Sequence, residues 1–332
     1  MICLGIESTA HTFGVGIVDS EGNIIGNSLD MYRAPDGWGI EPIKAAQHHR
    51  EIKDKVLEDA LSGARLKLND IDLVAFSQGA GLPPCLQVGL GFAKELAIKN
   101  NKPLVPVCHQ IAHVEIGKLC TGARDPVILY VSGANTQILT YISGKYRCTG
   151  ETQDVGIGNA IDKFGREMGL GFPAGPRIEQ LALKGKWVEL PYTVKGMDLA
   201  FSGIITDAIR KAKGQSKLGP QKLEDICFSL QETLFAMLTE VTERALAHVG
   251  KKEVLVTGGV GANKRLAEMM GIMCKERGAR AYIVPLEYSG DNGSMVAWAG
   301  MLARKHAVSG NAIGDIGIKP NQRTDDVEVT WL

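Results

Sequence analysis

The sequence predicts an α/β protein of two lobes, each opened by the same strand, polar loop and hairpin. Three observations predict it. The opening unit of the chain returns about 125 residues later, which marks an internal duplication. After each copy, apolar strands alternate with helices of helical hydrophobic period, the pattern of α/β lobes. Forty glycines against thirteen prolines in 332 residues supply tight turns and close backbone approaches, not a linker.

The elements follow in order. Ile2–Ile6 is an apolar run, Glu7–Thr12 (ESTAHT) is small and polar, and Phe13–Val18 is a second run. Asp19–Asn23 then turns the chain into a third strand, Ile24–Leu29; Asp, Asn and Gly between apolar runs signal a hairpin. Helix Glu41–Ala64 carries Ile43, Ile52, Val56, Leu57, Ala60 and Leu61 at helical spacing. Strand Leu73–Ser77, helix Leu86–Lys99, strand Leu104–Val107 and helix Ile111–Leu119 complete the first lobe. Glycine and charge interrupt the pattern at Thr121–Asp125, so the lobes are expected at 1–122 and 123–332. The second copy reads Val127–Val131, a polar SGANT loop at Ser132–Thr136, strand Gln137–Ile142, turn Ser143–Lys145 and strand Tyr146–Thr149. Helices follow near Asn159–Met168, Pro176–Leu183 and Phe201–Ala212, then a long one over Leu223–Val249 whose apolar stripe is core. Strand Glu253–Thr257, helix Asn263–Arg277, strand Ala281–Val284 and helix Asp291–Lys305 close the chain.

Bulk properties narrow the function. The formal net charge is zero, whereas nucleic-acid binders usually carry a basic excess. Any contact with RNA therefore needs local positive charge or a partner that supplies it. Seven cysteines form no CxxC pair, which argues against a zinc ribbon or disulfide framework and for a reducing, cytoplasmic compartment. MICLGIEST has no basic leader and meets Glu7 at once, so it reads as a strand rather than a signal peptide. No apolar stretch of about 18 residues suggests a membrane span.

Small-residue loops suit phosphate, because backbone N–H groups form anion nests that bulky side chains would block. Ser8–Thr12 and Ser132–Thr136 are such loops in corresponding places. Each alone is as well explained by a turn; the symmetric pair is the signal. VLVTGGVGA, Val254–Ala262, adds a strand that ends in a Gly-rich turn and opens a helix, a favourable seat for a nucleotide. It lacks the GK[ST] of a Walker A loop and the spacing of a dinucleotide fingerprint. A Gly-rich turn at the far end of a duplicated α/β chain resembles the actin/sugar-kinase/Hsp70 (ASKHA, ribonuclease H-like) superfamily. That likeness implies a two-lobed fold with nucleotide in the central cleft.

His109 and His113 (HQIAH) stand four residues apart, so on a helix both imidazoles share a face and can reach one ion. The bland alternative is two histidines that only cap or brace a helix end. Position 110 is Gln, so the general base of an HExxH metalloprotease is missing. Asp291, in SGDNGSM, is the candidate third ligand, although helix capping also explains an Asp there. Two histidines and a carboxylate suit iron or zinc and leave positions open. The His48–His49 pair cannot place both rings on one face and reads as surface. Cys108 points away from the face of its neighbour His109 and is discounted.

With these residues assembled, the chain resembles a known family. GIESTAHTFGVGIVD, VAFSQGAGLPPCLQVG, HQIAHVEIG, YVSGANTQIL, GIGNAIDKFGREMGLGFPAGPRIE, KGMDLAFSG, VTGGVGANKRL and DNGSMVAWAG run in order from end to end. They look like the tRNA threonylcarbamoyladenosine synthases, once mistaken for O-sialoglycoprotein endopeptidases, in their archaeal/eukaryotic branch. The resemblance implies transfer of a threonylcarbamoyl group from L-threonylcarbamoyl-adenylate to the exocyclic amine of the adenosine 3′ of the anticodon in ANN-decoding tRNAs, with release of AMP. It implies one iron per subunit, with zinc as the alternative, on His109, His113 and Asp291, with Tyr130 as a further ligand. It places nucleotide contacts, to ATP or the adenylate, at Tyr130, Val131, Ser132, Gly133, Ala134, Asp162, Gly175, Glu179 and Asn263. Glu7 and His11 border the first loop and are the candidates for proton relay, against the plainer reading that Glu7 braces the loop. The implied partners are tRNA, an upstream adenylate-forming enzyme, and the KEOPS subunits, among them a small atypical kinase/ATPase and a small dimerising subunit. Ala80, Ala134 and Ala174 depart from the usual glycines, Gly261 stands where alanine is usual, and Lys264 where Asn or Gln is common. Each Ala would cost about 1 kcal/mol if its φ were positive. The rivals are a small-molecule kinase of the same superfamily, a metallopeptidase, and a non-catalytic ATP-binding scaffold.

Overall fold

The computed structural model describes residues 1–34, 39–215, 219 and 221–332. In chain order these form β1 (Ile2–Glu7), β2 (Thr12–Asp19), β3 (Ile24–Met31), α1 (Pro42–Ala64), β4 (Leu73–Gly79), α2 (Pro83–Lys99), β5 (Leu104–Cys108) and α3 (His109–Thr121). There follow β6 (Val127–Val131), β7 (Thr136–Ile142), β8 (Lys145–Glu151), α4 (Ile157–Glu167), α5 (Gly175–Ala182), the short β9 (Val194–Lys195) and β10 (Asp198–Leu199), and α6 (Ser202–Ala212). The last elements are α7 (Leu223–Val249), β11 (Glu253–Thr257), α8 (Lys264–Glu276), β12 (Arg280–Ile283), α9 (Leu286–Ser289) and α10 (Gly293–Leu302).

The duplication appears in the sheets. One five-stranded sheet has the order β3-β2-β1-β4-β5 and the other, read from its hairpin edge, β8-β7-β6-β11-β12. In both, the opening strand pairs antiparallel with its hairpin partner and parallel with a later strand. Strands β1 and β6 are covered on both faces, which is why they read as unbroken apolar runs rather than alternating ones.

The chain divides into two compact units. The first holds Met1–Cys120, Ile142–Tyr146 and Gly290–Leu332; the second holds Thr121–Tyr141 and Arg147–Ser289. The cut near residue 120 is close to the expected one, but the expected second lobe, 123–332, loses its last stretch to the first unit. The reason is close backbone packing. A Cβ on Gly16 would lie 2.0 Å from the Ser294 nitrogen, and one on Gly5 would lie 2.1 Å from the Ala297 nitrogen. A Cβ on Gly293 would in turn lie 2.0 Å from the Gly16 nitrogen. Glycines on both sides therefore let α10 rest directly on β1 and β2, a partner choice that helical periodicity does not encode.

Other differences are local. Helix α3 begins at His109 rather than Ile111, because β5 runs straight into it. Helix α10 begins after Asp291, where the Asn292 side chain caps it by accepting from the Met295 N–H at 2.9 Å. The reading of His48–His49 as surface is corrected. His49 is fully buried, its Nε2 lies 3.0 Å from the Ala10 carbonyl oxygen, and its ring packs against Phe13 at 5.5 Å. Successive helix positions point about 100° apart, so His48 is left at the edge, 3.2 Å from Asp30.

Candidate metal centre and nucleotide loops

The candidate metal cluster belongs to the first unit. Strand β5 delivers His109 to the first position of α3, and one turn later His113 lies on the same face. The rings meet edge to face at 4.8 Å between centroids. Asp291, fixed by the docking of α10 on β1 and β2, brings Oδ1 to 3.1 Å from His113 Nε2 and 3.6 Å from His109 Nε2. One ligand atom from each of the three lies within 4.8 Å of the others. Glu7, the last residue of β1 and fully buried, places Oε2 3.1 Å from His109 Nδ1. Its other oxygen accepts the Thr9 N–H at 2.7 Å and the Thr9 hydroxyl at 2.6 Å.

The Glu7 carboxylate favours a proton on His109 Nδ1. That makes Nε2, facing Asp291 and His113, the nitrogen that can exchange a proton for a cation. The carboxylate–histidine pair behind a metal-facing nitrogen is the usual outer support of a histidine ligand. Charge agrees. Burial alone would lower the His109 pKa, but the Glu7 and Asp291 carboxylates outweigh it and raise it to about 9. Burial lowers the His113 pKa, and its hydrogen bond to Asp291 opposes this only in part. Burial would raise the Asp291 carboxyl, yet His109 and then His113 hold it well below the usual carboxylate range. Two carboxylates, the fully buried Glu7 and the half-buried Asp291, beside two neutral imidazoles carry two negative charges, so the donor set fits a borderline divalent cation. His11 is half-buried, and its charge also acts to lower the Asp291 pKa. Gln110, where a metalloprotease would carry glutamate, is turned to the Cys108 thiol at 3.2 Å and the Gln322 carbonyl at 3.4 Å.

Two residues of this neighbourhood escape a reading of the sequence alone. Thr9 links Glu7 to His109, its hydroxyl lying 3.3 Å from Nδ1. Its place within ESTAHT is the available signal. Glu115, buried on α3, accepts from the Tyr146 hydroxyl at 2.6 Å and the Trp331 indole at 3.1 Å, tying the helix that carries His109 and His113 to two distant segments. Nothing local in the sequence announces that convergence.

The expected nucleotide residues belong to the second unit. Tyr130 and Val131 end β6 fully buried, and Gly133 and Ala134 emerge into solvent. The loop is closed by the Ser132 N–H on the Asn135 carbonyl at 2.8 Å. It is seated on the start of α4, whose Gly158 and Asn159 N–H groups donate to the Ser132 and Gly133 carbonyls at 3.1 and 2.9 Å. Gly258, at φ +91°, closes the Gly-rich turn against β6; a Cβ there would lie 2.3 Å from the Val131 carbonyl oxygen.

The remaining four positions are joined in pairs. Asp162 accepts the Ala174 N–H at 2.7 Å, beside Gly175, where added side-chain atoms would meet open space. Glu179 accepts the Lys264 N–H at 2.9 Å. That residue follows Asn263, whose Oδ1 caps α8 through the Arg265 and Leu266 N–H groups at 2.9 and 3.3 Å. None of the three alanines carries the positive φ that would have been costly: among the described residues the positive-φ positions other than glycine are Arg65, Asn101 and Ser143. The Ala174 methyl is accommodated by Gly165, where a Cβ would lie 2.1 Å from it.

Two sheets of one order, each opened by a hairpin and a small-residue loop, define the class: an ASKHA-type α/β fold. Among solved structures, the chain is similar to the activator of 2-hydroxyisocaproyl-CoA dehydratase from Clostridium difficile with bound ADPNP. The TM-score is 0.55 over 96% of this chain and 99% of that one, at 11% identity, a likeness of fold alone. Within the class, residues 23–298 match the family TsaD: tRNA N6-adenosine threonylcarbamoyltransferase. The tRNA N6-adenosine threonylcarbamoyltransferase of Thermococcus kodakarensis is 52% identical over the full length of both chains. The probable bifunctional tRNA threonylcarbamoyladenosine biosynthesis protein of Methanocaldococcus jannaschii is 51% identical over all of this chain and 61% of its own. The chain belongs to the tRNA N6-adenosine threonylcarbamoyltransferase family and is a transferase.

Proposed function

We propose that the chain takes the threonylcarbamoyl group from L-threonylcarbamoyl-adenylate and transfers it to the exocyclic amine of the adenosine 3′ of the anticodon in ANN-decoding tRNAs. The adenine N6 forms a bond to the carbamoyl carbon, the bond from that carbon to the phosphate oxygen breaks, AMP leaves, and N6 gives up a proton. The carrying observation is the convergence of His109, His113 and Asp291 behind the Glu7–Thr9 brace.

In this reading those three side chains hold one iron, with zinc as the alternative, and Tyr130 joins them on the strength of the family resemblance. The ion, when bound, supplies Lewis-acid stabilisation of charge on the transferring group. Glu7 acts as a positioning residue: it keeps the proton on His109 Nδ1 and so keeps Nε2 available. His11, half-buried on the same loop, remains the candidate for passing on the N6 proton. Gly133 and Ala134 receive phosphate through backbone N–H groups, and Ser132, whose N–H is held by Asn135, offers its hydroxyl. Asp162 and Glu179 take the ribose diol, Gly175 admits the nucleoside closely, and Asn263 fixes the turn beside it. The target base is accepted unstacked, which an anticodon loop permits cheaply. Partner subunits of the KEOPS kind are expected to raise turnover, because a chain of zero net charge attracts tRNA weakly.

The test is reconstitution. The chain is combined with the adenylate-forming enzyme, threonine, bicarbonate, ATP and unmodified tRNA, with partner subunits added or withheld, and threonylcarbamoyladenosine is read by mass spectrometry. Product that requires this chain supports the proposal. No product with the full complement, despite ATP binding, moves the reading to a kinase or scaffold.

A further inference from the structure

Positive charge is concentrated in one part of this neutral chain. Between Lys163 and Lys222 stand eleven Lys and Arg against five Asp and Glu, while the whole sequence has a formal net charge of zero. Four of the five acids are already engaged. Glu167 pairs with Lys213 at 2.5 Å. Asp207 pairs with both Arg210 and Lys211, at 3.2 and 2.9 Å. Glu179 is held by the Lys264 N–H and Asp198 by the Glu151 N–H. Lys163, Arg166, Lys184, Lys186 and Lys195 are exposed and, among the described residues, lie outside ion-pair distance of any carboxylate.

These cations decorate a connected layer. Gly165 on α4 abuts Ala174 at the head of α5. The strand-poor segment after α5 is stapled to α7 by the Lys186 N–H on Asp225 at 2.7 Å and the Val188 N–H on Ser229 at 2.6 Å. Lys211 of α6 reaches the Glu189 carbonyl. Between the cations stand exposed rings: Phe172 at 58%, Trp187 at 57% and Tyr192 at 50% of their surface. A solvated charged face needs no aromatic rings, and an apolar docking face would not carry this many unpaired cations. Unpaired cations with interleaved aromatics suit a polyanion that presents flat bases.

We propose that this layer, α4 to α6 with the Met168–Ala174 and Leu183–Thr193 loops, is the surface that receives the tRNA backbone. It rests on the transfer reading for the identity of the RNA. Lys163, Arg166, Lys184 and Lys186 neutralise phosphates, and Trp187 and Phe172 stack on exposed bases. The layer also contains Asp162, Gly175 and Glu179, so the RNA arrives beside the positions assigned to the nucleotide.

The test uses the full chain and an unmodified tRNA transcript, with affinity read by fluorescence anisotropy across a range of KCl. The combined variant Lys163→Gln, Arg166→Gln, Lys184→Gln, Lys186→Gln is expected to bind at least about tenfold more weakly. The slope of log affinity on log salt should shrink by about 3, as four lost phosphate contacts require. Trp187→Ala should weaken binding and leave the slope unchanged. Binding of an AMP probe and the melting temperature should stay at the values of the unaltered chain. Unchanged tRNA affinity and slope in the fourfold variant would overturn the proposal, as would failure of the unaltered chain to bind the transcript. Retained RNA binding with lost capture of a partner subunit would make the layer a protein interface instead. Failure of the transfer reading is distinguishable: the unaltered chain would then bind tRNA with the expected slope and form no product.

Discussion

The candidate metal cluster of the first unit and the candidate nucleotide loops of the second are built from opposite materials. In the first, side chains form the site and the backbone only carries them: two imidazoles and a carboxylate converge, and Glu7 and Thr9 fix one ring behind. In the second, the backbone forms the proposed phosphate seat, and the side chains around it, including the Asp162 and Glu179 assigned to the ribose, also hold that backbone in place. Asp162, Glu179 and Asn263 each accept backbone N–H groups, and Gly156, Gly158 and Gly258 occupy places where a Cβ would strike the loop at Ser132–Ala134 or its strand. A side-chain site fails abruptly when one donor is removed. A backbone site loosens by the worth of one hydrogen bond or cap.

The sharpest break of that comparison is therefore expected in the first unit. Asp291→Ala or His109→Ala should abolish stoichiometric metal and lower transfer by at least about 10²-fold. Metal content by mass spectrometry is the first check, because a variant that keeps a full equivalent of metal defeats the ligand assignment whatever its activity. Glu7→Gln comes next. It keeps the shape but removes the charge that holds a proton on His109 Nδ1, and loss of such a partner typically weakens metal binding about 10- to 100-fold. Competition with a chelator measures this directly. Wild-type metal affinity with collapsed turnover would instead make Glu7 the proton acceptor.

How much of this is legible in the sequence depends on range. The helical stripe of Leu223–Val249 and the spacing of His109 and His113 are local patterns, and both translate directly into structure. The repeat of hairpin and loop is readable because two copies of one local grammar can be compared. What stays hidden is who packs against whom. Gly5, Gly16 and Gly293 read only as small residues until α10 is seen lying on β1 and β2, and that contact is what carries Asp291 to the histidines. The link from Glu7 through Thr9 to His109 spans a hundred residues and has no period. Adjacency of His48 and His49 suggests a shared, exposed fate, but a helix points neighbours in different directions, and His49 turns inward.

His49 also sharpens the comparison by showing a buried histidine in the first unit that is kept neutral by its surroundings. Burial, with the nearby His48 charge, lowers its pKa from 6.5 to about 4, against the opposing hydrogen bond to Ala10. Between those values the unfolded chain binds a proton that the folded chain refuses, so stability rises with pH there. The contribution is present above the unfolded pKa and is lost as pH falls through about 4. Between pH 7 and 5 the loss amounts to about 2 kcal/mol. Urea melts at those two pH values should show a smaller difference for His49→Gln than for the unaltered chain. An identical pH dependence would remove His49 from the account.

The smallest effect is expected where the backbone site is strongest in number of supports. Asn263 caps α8 and also donates from Nδ2 to Gln231 Oε1 at 3.1 Å. Asn263→Ala removes a cap worth about 1 kcal/mol. Lys264 remains tied to Glu179, and Gly258 still sets the turn, so the loop should stay in place. The expected result is a modest fall in stability on denaturant titration and a several-fold weaker hold on an adenine nucleotide by calorimetry, with metal content untouched. Complete loss of nucleotide binding would mean that the Asn263 side chain itself grips the ligand, and the second unit would then fail abruptly, as a side-chain site does.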